Sequence, residues 1–418
     1  MTEVNVNTDE NNNLPEIDLK ELDEPEEEII QPVELPEHVE PALDKINDWF
    51  SKIFLNGVQR ISKENLDELQ ALIITAHTTK VSRLERDIQS LKKIVELYLN
   101  KDPNFSFSRL TSILSRIAIT CKTIRDYKNG KQLPPHRIKL LTGTADDKKE
   151  HKKIIAQTLG VSGWMTESGY VGVTAYLYDL SNRQMIAATN ARPLTAMKYM
   201  DRSRYRRSSR SSAPNSELRN IETILNIETN SNIAMNEFTG ASFQIMNAKI
   251  TQAYPAKLSL GKNMRLFRYK ALPWSSNKFD MIKYDDWAEV QEYIHLIESE
   301  GLSLFPQLFG LFKIKRFSDL KHDDIERTYS FKVYDKNYNS MDVVLADKGR
   351  NHYAIETFKD LMQTQTFPPW IFGQARIDSE GNISLWPING IWPLGIMMSD
   401  YSIIESCNFT LNQRKFRR

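Results

Sequence analysis

Ile371-Phe372-Gly373-Gln374-Ala375-Arg376-Ile377, then Asp378-Ser379-Glu380-Gly381, then Asn382-Ile383-Ser384-Leu385-Trp386-Pro387-Ile388 reads as a β-hairpin. Successive side chains of a strand point to opposite faces. Ile383, Leu385 and Pro387 therefore share one face, and Ser384, Trp386 and Ile388 the other. Gly381 closes the turn where a positive φ costs little. Working upstream, a helix spans Tyr353–Met362, and two more strands, Tyr329–Tyr334 and Met341–Ala346, precede it. The order is strand, strand, short helix, strand, turn, strand.

An earlier stretch follows the same plan. It offers Gly169–Leu180, Arg183–Asn190, a helix near Glu217–Leu225, then Ala241–Thr251 and Lys257–Leu266. The late hairpins overlay best: Phe243–Ile250 against Ile371–Ile377, and Lys257–Leu260 against Asn382–Leu385. Identities are few, so the likeness lies in pattern and order. Two hairpins split by one helix, with one more strand in front, is an order used by oligonucleotide- and oligosaccharide-binding barrels. Phe305–Phe317, with Leu311, Lys313, Lys315 and Phe317 in alternation, supplies that leading strand for the second unit. The expectation is an α+β chain: an N-terminal helical bundle followed by two barrel-like (OB-like) β units, each with a short helix. An open sheet with one helix, or a split β-α-β sandwich, is the competing geometry.

The expected divisions are an acidic disordered tail at 1–40, a helical bundle at 41–130, and a first β unit at 160–270. A helical linker at 271–304, a second β unit at 305–405 and a basic tail at 406–418 complete the chain. In the bundle, Leu43, Ile46, Trp49, Phe50, Ile53 and Phe54 fall three and four apart, an amphipathic stripe. Gly57 ends it, and Ser62 with Asn65 offers a cap for the next helix. Stripes from Leu84 to Tyr98 and from Leu110 to Tyr127 follow, separated by Asp102-Pro103. Residues 129–167 read as a basic, polar connection.

Net charge is +1, which hides a split. Residues 1–40 hold fourteen Asp or Glu and one Lys, a balance of −13; the remainder holds 40 acidic and 54 basic side chains, a balance of +14. The leader is too polar to bury a core. It is either a solubilising tail or an intramolecular competitor for a basic surface. No run of about 18 apolar residues predicts a membrane span, and no basic-then-apolar start predicts a secretory signal. Two cysteines, Cys121 and Cys407, are no disulfide framework and no Cys-rich zinc site. A reducing, cytoplasmic setting is expected.

Two groups of residues are candidate binding sites. Arg202, Arg204, Tyr205, Arg206, Arg207 and Arg210 crowd one stretch between serines. Guanidinium groups contact phosphates in bidentate fashion, and each phosphate neutralised steepens the salt dependence of binding. An acidic protein face would suit them as well. Trp370, Phe372, Trp386 and Trp392 cluster around the quoted hairpin. They are either an aromatic platform for bases or a partner, or strand-end packing beside Pro368, Pro369, Pro387 and Pro393. His322-Asp323-Asp324 carries ligand-type side chains without a partner at metal-binding spacing, so no metal and no cofactor is expected. No nucleophile elbow and no phosphate loop occurs.

The segments Trp49–Arg60, Asn247–Leu266, Pro369–Arg376 and Leu385-Trp386-Pro387 resemble uncharacterised bacterial proteins associated with SWIM zinc-finger proteins and MoxR-type ATPases. The finger cysteines are absent here, so the resemblance implies a companion protein in an ATPase-linked assembly. The functional expectation is a non-enzymatic accessory or scaffold protein that binds a protein partner through its β modules. Single-stranded nucleic-acid binding through the β units and the Arg-rich stretch is the second reading, and an enzyme of unknown class the third.

Overall fold

The amphipathic stripes fold as four helices. The computed structural model describes residues 15–16, 35–79, 81–102, 105–133, 141, 148–166, 169–193, 238, 241–251, 253–261, 263–299, 307–347, 351–377, 382–397 and 403–409. Helix α1 (Val39–Asn56) buries Leu43, Ile46, Trp49, Phe50 and Ile53 and ends at Gly57, whose φ is +81°. Helix α2 (Lys63–Thr78) opens on a capping box: the Ser62 N–H donates to Asn65 Oδ1 at 2.8 Å. Helices α3 (Ser82–Leu99) and α4 (Phe107–Lys128) close the bundle around one shared core. Inside it Asp87, almost fully buried, meets Arg116 at 2.7 Å and Arg83 at 3.8 Å. No described helix is long and apolar enough to cross a membrane.

The first sheet begins where the sequence reads as a connection. Strand β1 (Lys148–Met165) is 18 residues long. Five of its first six residues are charged and most are exposed, which disguises it; burial starts at Ile154 and continues past Val161. It is followed by β2 (Tyr170–Asp179), β3 (Gln184–Pro193), β4 (Ser242–Thr251), β5 (Ala256–Ser259) and β6 (Arg265–Tyr269). The expected single strand Lys257–Leu266 is thus two: β5 runs parallel to β3, while β6 returns alongside the other end of β4. Hydrogen bonding runs β1-β2-β3-β5-β4 and back to β1, a closed five-stranded barrel. Ile154, Val161, Val173, Ala175, Leu177, Ile186, Phe243 and Ile245 fill it. The helix read near Glu217–Leu225 and the Arg-rich stretch lie outside the described residues.

The region read as a helical linker holds a short 3-10 turn (Asn277–Ile282), β7 (Lys283–Tyr284) and α5 (Trp287–Ser299); β7 joins the second sheet. That sheet comprises β8 (Gln307–Lys313), β9 (Arg316–Phe317), β10 (Lys321–Asp323), β11 (Thr328–Tyr334), β12 (Ser340–Ala346), β13 (Trp370–Ile377), β14 (Ile383–Met397) and β15 (Ile403–Asn408). Helix α6 (Asn351–Thr364) sits between β12 and β13 in the chain. Its path is again first-second-third-fifth-fourth-first. Here the first strand is broken in two: β8 pairs β13, and β9 pairs β11. Between them Ile314 N–H donates to Pro369 O (2.8 Å), and Lys315 N–H to Tyr334 O (2.8 Å). β12 and β14 run parallel, as β3 and β5 do. The expected basic tail from 406 begins inside β15, where Cys407 is buried, and Phe409 just past its end is buried as well.

Each barrel ties off the turn after its second strand with a buried aspartate. Asp179 accepts the N–H groups of Ser181 (3.0 Å) and Asn182 (3.1 Å) and the Asn182 amide (2.8 Å). Asp335 accepts the N–H groups of Asn337 and Asn339 (2.8 Å each), the Asn339 amide, and the Trp287 N–H at the start of α5 (2.9 Å). Both aspartates are fully buried, where a carboxylate demands such partners.

The barrels share a third core. Tyr178, Leu159, Ile155 and Met185 of the first pack with Phe309, Leu311, Phe372, Ile388 and Ile391 of the second, and Phe279 of the 3-10 turn joins them. Val161 N–H donates to Asn408 Oδ1 (2.8 Å), and the Asn389 amide to Leu159 O (2.7 Å). At Gly160 a Cβ would lie 2.8 Å from the Cβ of Asn389, so only glycine lets the two backbones approach this closely.

Candidate nucleic-acid interface

In a barrel of this wiring, the outer face of the second and third strands, flanked by the first-second and fourth-fifth loops, is where an oligomeric ligand lies. Register places Tyr170, Gly172, Thr174, Tyr176 and Tyr178 of β2 on that face, beside Pro193, Ala191, Thr189, Ala187 and Met185 of β3. The odd-numbered residues of β2 between them, Val171 to Leu177, fill the barrel.

The face is divided. Its lower half is plugged by the second barrel: the Tyr176 ring lies 5.1 Å from Phe309 and 5.8 Å from Phe372, centroid to centroid. Tyr178 beneath it is fully buried, and burial pushes its hydroxyl up to about 12. Among the described residues nothing of the second barrel covers the upper half. There Trp164, from the end of β1, lies over Gly172, where any Cβ would strike the indole. Its Nε1–H donates to Thr174 Oγ1 (3.0 Å), which also bonds Thr189 Oγ1 (2.9 Å). The indole is half-exposed, Tyr170 is 46% exposed and Thr189 is exposed.

Two cations border the plugged half. Lys257 stands beside Ala187 in register. Arg376 of β13 is half-buried, and its guanidinium donates from Nε to Gln374 Oε1 at 2.9 Å and also from Nη2. Gln374 in turn donates to Gln307. Among the described residues Arg376 meets no carboxylate; burial lowers its pKa, and the neighbouring Tyr176 opposes that shift. A guanidinium stays protonated regardless.

The residues singled out from sequence fall differently. Arg202, Arg204, Tyr205, Arg206, Arg207 and Arg210 lie outside the described residues, on the segment that leaves β3 after Pro193. Trp370, Phe372, Trp386 and Trp392 do not form one surface. Phe372 is 0% exposed in the core between the barrels, and Trp392 is 5% exposed in the second barrel. Trp370 and Trp386 are half-buried, with Lys313 over the Trp370 ring at 5.6 Å. Hydrophobic area beside a second barrel is better buried than wet, which the hairpin alone does not reveal. Trp164 escaped notice because β1 did; Tyr170 and Thr174 lie on the expected strand Gly169–Leu180, but without Trp164 beside them nothing marked them as a surface. The signal was the apolar run from Ile154, interrupted by Gly160 and Gly163, since glycine inside a strand marks a close backbone approach.

The matching face of the second barrel differs. Lys332 and Asp342 pair across β11 and β12 at 3.0 Å, and the aromatic of β11 on that face is the half-exposed Tyr334, beside Ser340 at the strand's end. His322 bonds Asp324 (3.0 Å) and stacks on Tyr329 (4.3 Å). No group of three potential metal ligands occurs among the described residues.

No protein-family model and no curated protein matches the chain. Among solved structures, a replication protein A heterotrimer bound to single-stranded DNA overlaps 57% of this chain and 49% of that one, at 10% identity and a TM-score of 0.25. Tetrameric p202 HIN2 overlaps 58% of this chain and 91% of that one, at 10% identity and a TM-score of 0.21. The chain spans about half the length of the replication protein A chain it matches. At these scores neither likeness carries weight; the strand order rests on this chain's own hydrogen bonds.

Proposed function

We propose that the protein binds single-stranded nucleic acid without catalysis, laying the strand across β2 and β3 of the first barrel. The observation that carries this reading is the open upper half of that face, where Trp164 and Tyr170 stand beside the Thr174–Thr189 hydroxyl pair. Bases stack on aromatic faces for roughly 1–3 kcal/mol each, and hydroxyls and cations take the phosphates. Lys257 and Arg376 lie towards the second barrel. The stretch carrying Arg204, Arg206 and Arg207 departs from the open end of β3. A labelled oligonucleotide titrated over a salt series tests the reading. Affinity falls steeply with salt, the triple Arg204→Ala/Arg206→Ala/Arg207→Ala variant has a shallower slope, and Trp164→Ala binds more weakly at every salt. Absence of binding at about 50 mM salt would defeat it.

One observation favours a protein partner as a second, separate activity: Leu55 is 86% exposed and Phe54 65% exposed at the end of α1. Clustered apolar side chains in water mark contact sites. An accessory role in an ATPase-linked assembly would use the bundle, leaving the barrels for nucleic acid. Loss of complex formation in Leu55→Glu, with oligonucleotide binding intact, is the expected signature.

A further inference from the structure

Strand β6 forms the edge of the first sheet. Its one described strand partner is β4, and an open edge offers unpaired N–H and C=O groups. Just past its end, the Lys270 N–H donates to Pro15 O at 3.0 Å, and Lys270 Nζ reaches Glu16 Oε1 at 3.1 Å. The acidic leader thus touches the body of the molecule 254 residues away in sequence.

The surroundings suit it electrostatically. Residues 257–270 contain Lys257, Lys262, Arg265, Arg268 and Lys270 and no carboxylate. Register aligns Lys153, Met246 and Arg265 in one row across three strands, and Ile155, Gln244 and Phe267 in the next. Phe267 is 48% exposed. Against this stands a leader whose first forty residues carry −13. Charge blocks of opposite sign in one chain attract over a Debye length, about 10 Å at 0.1 M salt.

We infer that the open edge of β6 is a docking surface whose resting occupant is the chain's own Pro15–Glu16 segment, held by the Lys270 backbone bond and by charge. An exposed ion pair alone contributes little, about 0–1 kcal/mol. A tethered segment, however, has an effective concentration on the order of millimolar, so a weak contact is still occupied. The occupancy is salt-sensitive, because charge rather than packing holds it.

Amide hydrogen exchange of the full chain tests this without any nucleic acid, so its outcome is separate from the binding reading above. At low salt, the amides of Arg265–Lys270 exchange several-fold faster in Glu16→Lys and in Lys270→Glu than in the unaltered protein. The charge swap Glu16→Lys/Lys270→Glu restores slow exchange, and about 1 M salt abolishes the difference. The α4 amides serve as a folding control and stay constant. Equal β6 exchange in all four proteins at low salt, or β6 protection insensitive to salt, would overturn the inference.

Discussion

The two barrels share a strand order but not a surface. In the first, one unbroken 18-residue strand crosses from β4 to β2 and delivers Trp164 to the open end of the face. In the second, β8 and β9 divide that work, and the face centres on the Lys332–Asp342 ion pair, with Tyr334 at its edge. The first barrel also loses half of its face to the second, which offers β8, β13 and β14 as the plug. One fold therefore plays two parts: one barrel presents, the other supports. Wiring is common to both, while the chemistry follows from which side chains point outward and what covers them.

The sharpest way to break this division of labour is to empty the shared core. Phe372→Ala removes a fully buried ring between the barrels and should cost about 3–5 kcal/mol. Denaturant unfolding should also lose its coincidence between probes placed in the two barrels; a variant as stable as the parent would show that the barrels do not depend on each other. Next come the paired aspartates. Asp335→Ala should cost more than Asp179→Ala, with each in the range of about 1–3 kcal/mol or above. The reason is that Asp335 alone also anchors the start of α5, and equal losses in thermal unfolding would contradict that. Smaller still is the functional contrast. Trp164→Ala should weaken oligonucleotide binding by about 1–3 kcal/mol, whereas Lys332→Ala on the second barrel should leave the affinity unchanged. Equal effects of the two would erase the distinction.

The smallest expected effect concerns Tyr178, whose buried hydroxyl has no hydrogen-bond partner among the described atoms. Tyr178→Phe should leave stability at neutral pH within about 0.5 kcal/mol of the parent or slightly higher. Burial raises the folded phenol to about 12, above an unfolded value near 10. Its neutral form therefore favours the fold below pH of about 10, and that contribution is lost as pH climbs towards 12. The Phe variant should decline less over that window in a pH series of chemical denaturation; parallel curves would refute the assignment.

Periodicity made much of this architecture readable. The α1 stripe from Leu43 to Ile53, the Gly57 stop and the Ser62–Asn65 cap were all visible as local chemistry, whereas Phe54, read as part of that stripe, is exposed. So was the hairpin around Ile383 and Leu385, whose alternation sets one face into the barrel. What escaped was non-local. The charged opening of β1, Lys148 to Lys153, looks solvated because it is; its pairing with β4 is a tertiary fact. The division of Lys257–Leu266 into β5 and β6 reflects two different neighbours, β3 and β4, that no window of ten residues contains. The burial of Phe372 depends on another barrel altogether. Candidate site residues suffered most, since exposure is decided by what packs against a strand rather than by the strand itself.

The seam between the barrels also sets a timetable for synthesis. Val161 waits for Asn408, 247 positions later, Tyr176 for Phe309 and Phe372, and Tyr178 for Phe279. A nascent first barrel therefore emerges from the ribosome with a bare apolar flank, and domains that fold in order of emergence are most prone to clumping in that interval. Chaperone demand during translation should be concentrated there, and separate expression of the first barrel would meet the same hazard permanently.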